Sequence, residues 1–445
     1  MTAAADPPRP QHDEPARLRV VAIADSDSYV KWASALVAAI PDAEIALVLV
    51  STPLTVSAAQ ERAALEGSGL GADRVHRVAF AELSAWLGFF GPDAVVLGAR
   101  GPLVRVLTAL VADLSPRPVI ATGLPGISLP ARRAALIYRA QCDLFILHSQ
   151  REVEAFGELS DRVSIPMRFA LAQLPFASGG IGAAPAGGGD LVFAAQAIVP
   201  REKAERLVVA RMLIDAAEAD PSRRVVLKLR AAKGERETHH ERFAYPDLID
   251  DLGGAPANLV VSYEPMARAL SRAQGLVTVS STSAIEAIAR GIPVIALDTF
   301  GVGDPLLNGV FTGSGLFGGT GEVIARWFRH PDEDWLRENY FHEEVFDDWI
   351  DAVAGLVHDR RRGDLAPRTA LPVRGGPLRA AWERKRVLGS EDRTLLGWVA
   401  LVVGAPARQA LILFRRLRGQ QPGPPGSSAH VSSTSAVRTS TTRTP

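Results

Sequence analysis

One cysteine, Cys142, stands among 445 residues, so the chain cannot form an internal disulfide and suits a reducing compartment. Net charge is also missing. The 49 Lys and Arg balance 49 Asp and Glu, which removes any overall case for binding nucleic acid. Neither a Walker sequence nor Gly-x-Gly-x-x-Gly occurs, so ATP and dinucleotide binding lack their usual phosphate cradles. No cluster of His, Cys and Asp has metal-ligand spacing, and no metal site is expected. The opening MTAAADPPRPQHDEPARL has no apolar core and holds three prolines before residue 11, unlike a secretory signal. A long apolar run is lacking too. Residues 394–414, TLLGWVALVVGAPARQALILF, come nearest, but Pro406, Arg408 and Gln409 interrupt them. A membrane span needs about 20 unbroken apolar residues. A cytoplasmic protein is the resulting expectation.

What is present suits a globular protein of two ordinary domains: 47% hydrophobic and 22% charged residues over this length. Short apolar runs at 18–24, 44–50, 94–99, 118–123 and 142–148 read as buried parallel strands. Between them, YVKWASALVAAI and GPLVRVLTALVADL carry apolar residues at helical spacing. Strand and helix in alternation imply a doubly wound α/β sheet over residues 17–176. ASGGIGAAPAGGGD, residues 177–190, is rich in glycine and alanine and reads as a linker. The same grammar then restarts, with strands expected at 190–196, 224–230 and 258–263 in a second Rossmann-like domain over 191–357. Its helical stretch 320–357 would close that domain or cross back to the first.

Residues 358–418 should add basic and apolar helices. From Asp359 to Arg418 there are fourteen Arg or Lys against five Asp or Glu. Two roles stay open for this region: a helix pair packed on the domains, or peripheral contact with the anionic inner face of the plasma membrane. Residues 419–445 lack core-forming side chains and are expected to be disordered.

The segment 275–297, GLVTVSSTSAIEAIARGIPVIAL, places four hydroxyl residues, Ser280, Ser281, Thr282 and Ser283, where a strand turns into a helix. Ligands of open parallel sheets sit outside the carboxyl ends of strands. Ser283-Ala-Ile-Glu286 fits a capping box, which explains one hydroxyl and one carboxylate structurally. The other three hydroxyls suit a phosphate or simply cap the helix; with a nucleotide bound, Glu286 could instead reach its ribose hydroxyls. Lys228 and Arg230 alternate on one strand face and could add charge to a phosphate site, or be solvated at a strand end. Gln196 and Arg201 flank the first loop of the second domain.

In the first half, IADSDSYVKW sets Asp25 and Asp27 directly after a strand. A carboxylate there could act as a general base, with Asp27 favoured over Asp25. It could also belong to a metal-binding Asp-x-Asp, serve as a phosphatase nucleophile, or merely cap the next helix. Arg100 follows another strand and could meet an anionic acceptor or only solvent. His148 ends a further strand, as an acid/base group, a substrate ligand or a structural residue.

VTVSSTSAIEAIARGIPVIAL resembles the nucleotide-binding segment of GT-B transferases that build bacterial surface polymers: the capsular polysaccharide, polysialyl and teichoic-acid glycerophosphate transferases. With VVAIADSDSYVKW and GLPGISLPARRAALIYRAQCDLFILHSQREVEAF, the chain is most similar to an actinobacterial set of such glycosyltransferases over about residues 18–350. In those relatives a Lys-x-His-Pro element lies where this chain has Lys228-Leu-Arg230. The resemblance implies a GT-B fold, two Rossmann-like domains facing across a cleft. It implies an inverting, metal-independent glycosyltransferase using a CMP-, CDP- or UDP-linked sugar, with no cofactor beyond that substrate. The acceptor would be a surface glycan or glycolipid. A catalytically silent scaffold in a polysaccharide-assembly complex and a sugar-nucleotide epimerase remain open beside it.

Overall fold

A computed structural model describes residues 17–53, 58–177, 180–229, 242–367 and 376–404. Arg230 and the proposed disordered tail lie outside these residues. Seven strands form the first sheet: β1 (Arg19–Ala24), β2 (Glu44–Val50), β3 (Val75–Val78), β4 (Ala94–Gly98), β5 (Val119–Gly123), β6 (Leu144–Leu147) and β7 (Phe169–Leu171). Their order is β3-β2-β1-β4-β5-β6-β7, with every neighbouring pair parallel. The second sheet holds β8 (Asp190–Ala194), β9 (Val225–Lys228), β10 (Leu259–Ser262), β11 (Ala273–Thr278), β12 (Val294–Leu297) and β13 (Phe317–Gly318). It repeats the pattern as β10-β9-β8-β11-β12-β13, again parallel throughout.

The central strands follow from apolar runs. Val20 to Ala24 are all fully buried, as a strand covered on both faces by crossover helices must be. In each sheet the chain builds outward from a central strand, then reverses to the other side. The reversal falls between β1 and β4 in the first sheet and between β8 and β11 in the second. Beyond the carboxyl ends of such pairs the crossover helices diverge and leave a crevice, where ligands of this architecture bind. The protein is thus two Rossmann-like domains of GT-B type, with Asp25, Asp27 and Arg100 at one switch point and Gln196 and Ser280 at the other.

Two boundaries differ from the sequence reading. The helix Trp349–Arg362 buries Trp349, Ala352, Val353 and Val357 against Val20, Ala22 and Leu47 of the first domain, so the second domain ends before it. Within the linker expected at 177–190, residues 182–190 run pinned along the second domain. The Gly182 amide donates to the Ala289 carbonyl at 2.8 Å, and a Cβ on Gly188 would collide with the Ala273 carbonyl. The helix Gly376–Leu388 also returns to the first domain. It buries Leu388 among Leu103 and Leu107 and pairs Glu383 with Arg105 at 3.3 Å.

Candidate functional site

At the first switch point Asp25 follows β1 and is buried. Its Oδ2 accepts a hydrogen bond from Arg100 Nε at 3.1 Å, while Oδ1 is buried without a partner. Burial raises the Asp25 pKa above its ordinary 3.8, and the Arg100 charge pulls partly back. Arg100 therefore serves the protein's own carboxylate, and its guanidinium already sets a positive charge beside it. That arrangement is at odds with a metal-binding Asp-x-Asp. Beneath it lies Arg139, also buried. Its Nη2 reaches the Tyr29 hydroxyl at 3.4 Å and the carbonyls of Ala99 and Gly123 at 3.3 Å each, tying the ends of β4 and β5 together.

Asp27 opens the helix Asp27–Ala38 and is only partly buried. Its position relative to the second domain follows from Lys31, whose Nζ lies 3.3 Å from Glu286 Oε2. Residues four apart share one helix face, so Asp27 lies on the side of the helix that meets the second domain.

His148 is placed otherwise. It is fully buried, and its Nε2 takes a hydrogen bond from Trp32 Nε1 at 2.8 Å. Indole can only donate, so Nε2 accepts and the proton sits on Nδ1, 2.8 Å from the Ala172 carbonyl. Burial lowers its pKa and keeps the ring neutral. This is a structural histidine that orients Trp32, whose ring fills the space left by Gly98 and Gly123.

The second switch point holds the hydroxyl corner. Gln196, after β8, bridges to β11: its Oε1 accepts from the Ser280 amide at 2.9 Å. Thr278 Oγ1 accepts from the Ser281 amide at 3.2 Å, and Ser281 Oγ accepts from the Ser283 amide at 3.2 Å. Three amides expected to face a phosphate are therefore satisfied within the corner. The capping box does not form either. Ser283 is the first residue of the helix Ser283–Ala289, and Glu286 turns instead to Lys31 and, at 3.5 Å, to Arg290. What stays available is hydroxyl hydrogen. Ser283 Oγ accepts from Ser281 Oγ at 3.0 Å, and Thr282 Oγ1 accepts from the Ile127 amide at 3.3 Å. Among the described residues the Thr282 hydroxyl donates no hydrogen bond, and the Ser283 hydroxyl is paired only with Ser281 Oγ.

Ile127 belongs to the first domain, so the corner faces the interdomain gap. The approach is close, since a Cβ on Gly126 would collide with the Thr282 side chain. Of the remaining candidates, Lys228 is buried and donates to the Leu229 carbonyl, turned into its own strand end. Arg201 is exposed on the loop before the helix Lys203–Ala219, a loop that Arg206 holds through the carbonyls of Gln196 and Pro200, each at 3.2 Å. Lys31, the Gly126–Ile127 loop and Arg139 were not legible as site residues. Each lies in a stretch whose local pattern is helical or loop-like, and only the tertiary fold gives it a partner.

Residues 20–356 match the family described as "Putative glycosyltransferase (DUF6716)". No curated protein matches the sequence. Solved structures similar to it include Arabidopsis thaliana UGT89C1 complexed with UDP, at 14% identity over 77% of this chain and 100% of that one, TM-score 0.46. Another is the lipopolysaccharide outer core galactosyltransferase WaaB, at 12% identity over 78% of this chain and 100% of that one, TM-score 0.41. A UDP-N-acetylglucosamine 2-epimerase is similar at 12% identity over 80% and 100%, TM-score 0.44.

Proposed function

The chain belongs to this glycosyltransferase family, and on that premise we propose that it moves a sugar from a nucleotide-linked donor to a glycan or glycolipid acceptor with inversion. The supporting observation is the Lys31–Glu286 contact at 3.3 Å, which sets the Asp27 face of one switch point against the hydroxyl corner of the other. In this reading the donor phosphate sits at the Thr282 and Ser283 hydroxyls, with Arg201 supplying charge from the neighbouring loop. The acceptor lies over the first domain. As its hydroxyl oxygen bonds to the anomeric carbon, Asp27 takes the hydroxyl proton, and the glycosidic C–O electron pair leaves with the nucleotide phosphate. Fixed O–H donors aimed at that phosphate stabilise charge as it develops there. Asp25 and Arg100 act as a positioning pair that holds the turn carrying Asp27.

A second reading draws on the satisfied amides of the corner and on the inward-turned Lys228: a scaffold that keeps the fold without binding a donor. A thermal-shift panel of CMP, CDP, UDP and GDP separates the two. The transferase reading expects one of them to raise the melting temperature, by the equivalent of roughly 2.7 kcal/mol at about 100 times its Kd. Ser283→Ala should then weaken that nucleotide about tenfold, the effect of one hydrogen bond to an anion. No shift with any of the four would favour the scaffold.

A further inference from the structure

Residues 395–404 form a helix whose polarity is reversed with respect to the protein that carries it. Leu395, Leu396, Trp398, Val399, Val402 and Val403 all face outward, with Leu395 exposed to 85% and Val402 to 68%. Apart from the half-buried Leu401, its inner side is small. Ala400 is buried, a Cβ on Gly404 would collide with the Trp382 ring, and one on Gly397 would press on the Asp392 carboxylate. At about 100° per residue the six outward positions fall within an arc of roughly 160°, and Gly397, Ala400, Leu401 and Gly404 fill the opposite side. A helix stabilised by packing on its own domain would point its large side chains inward. This one is docked by its glycines and offers its leucine, valine and tryptophan side chains to the surroundings.

The charge around it selects the partner. The described residues 376–404 hold five Arg or Lys against three Asp or Glu, and the sequence adds four more Arg by residue 418. Lys385 is buried under Trp398, its ammonium 4.0 Å from the ring centre and bonded to the Asp392 carbonyl, while Arg393, exposed, opens the segment. An outward apolar face with a tryptophan, set among basic residues, matches the interface of a bilayer with anionic headgroups. Among the described residues no helix is long and apolar enough to cross a membrane, so this one would lie in the surface.

We infer that the helix 395–404 docks the protein on an anionic lipid membrane, with Leu395, Trp398, Val399 and Val402 entering the headgroup–acyl boundary. The inference rests on this face alone and is read without donor or acceptor. The helix packs on Trp382 of the helix Gly376–Leu388, which Glu383 ties to Arg105 of the first domain at 3.3 Å, on the helix that begins just after Arg100. Docking would thus bring the first domain to the membrane, where a lipid-borne acceptor would lie, and only this last clause rests on the glycosyltransfer reading.

The test is flotation of the full-length protein with vesicles of phosphatidylcholine alone or mixed equally with phosphatidylglycerol. Binding to the mixed vesicles is expected, weaker on phosphatidylcholine and weaker again at high salt. The double variant Val399→Asp, Val402→Asp should bind the mixed vesicles at least about tenfold less while melting at the wild-type temperature, since both side chains are exposed. Three results would overturn the inference. One is absence of vesicle binding, or binding that the double variant keeps. Another is a wild-type dimer in light scattering that the variant dissociates, which would make the partner a second copy. The third is a clear fall in the variant's melting temperature, which would mean that the chain covers this face itself.

Discussion

Asp27→Asn is expected to lower the rate of sugar transfer by about 10²–10⁴-fold, the usual worth of a positioned general base. The Kd of the nucleotide selected by the thermal-shift panel should stay near the wild-type value, because the donor is assigned to the other domain. The carboxylate is placed for this by helical periodicity, four residues before the Lys31 that touches Glu286 at 3.3 Å. Asp25→Asn is the informative companion. Burial raises the Asp25 pKa from 3.8, so the fold favours the protonated acid. The group's contribution is then greatest below pH 3.8 and declines as pH rises through the raised value. At neutral pH an uncharged Asn should leave the melting temperature equal or higher. Transfer retained in Asp27→Asn but abolished in Asp25→Asn would move the base to the buried carboxylate.

The largest effect on stability is expected at Glu152, fully buried between the domains. Its Oε1 accepts from the Ser128 amide at 2.8 Å and from the Tyr340 hydroxyl at 2.6 Å, and its Oε2 from the His148 amide at 3.0 Å. Ser128 lies on the loop that reaches Thr282, and Tyr340 packs in the core of the second domain. Burial, and then the neighbouring Glu152 charge, push the Tyr340 pKa well above 10, so the phenol keeps the proton it donates. Glu152→Ala would strand three buried donors and should cost about 3–5 kcal/mol, read as a lower urea midpoint. Tyr340→Phe removes one donor and should cost only about 1–2 kcal/mol. Because the carboxylate ties both domains to one loop, Glu152→Ala should also weaken nucleotide binding at the corner. A loss below about 1 kcal/mol in Glu152→Ala would mean that this network does not hold the domains together.

Glu152 and Glu286 show where a local sequence pattern stops being informative. Both end a Ser-x-x-Glu sequence, at 149–152 and at 283–286, and the pattern predicts that each carboxylate folds back on its own helix start. At the first, Ser149 Oγ does accept from the Glu152 amide at 3.1 Å, but the carboxylate Oε2 takes the His148 amide, one residue before the cap, and Oε1 leaves for Ser128 and Tyr340. At the second, the carboxylate leaves for Lys31. A tertiary partner with a charge or several donors outcompetes one exposed amide, and it lies too far along the chain to be read locally. Strands told the same story in reverse. β1 and β4 were legible because each is an unbroken apolar run over most of its length. β3, with Val78 alone buried, and the two-residue β13 exist only because a neighbouring strand offers them an edge. The hydroxyl corner was legible as a place, since a strand visibly turns into a helix there. That its amides are already engaged was not, because Gln196 reaches the Ser280 amide from the end of β8, 84 residues earlier.

Hydrogen–deuterium exchange with and without the nucleotide picked out by the thermal-shift panel tests the donor assignment most directly. Slower exchange is predicted at residues 279–286 and 195–203, where the crevice between β8 and β11 would close over the phosphate. Protection confined to the first domain around Asp25 and Arg100, or a nucleotide that binds without slowing 279–286, would contradict it.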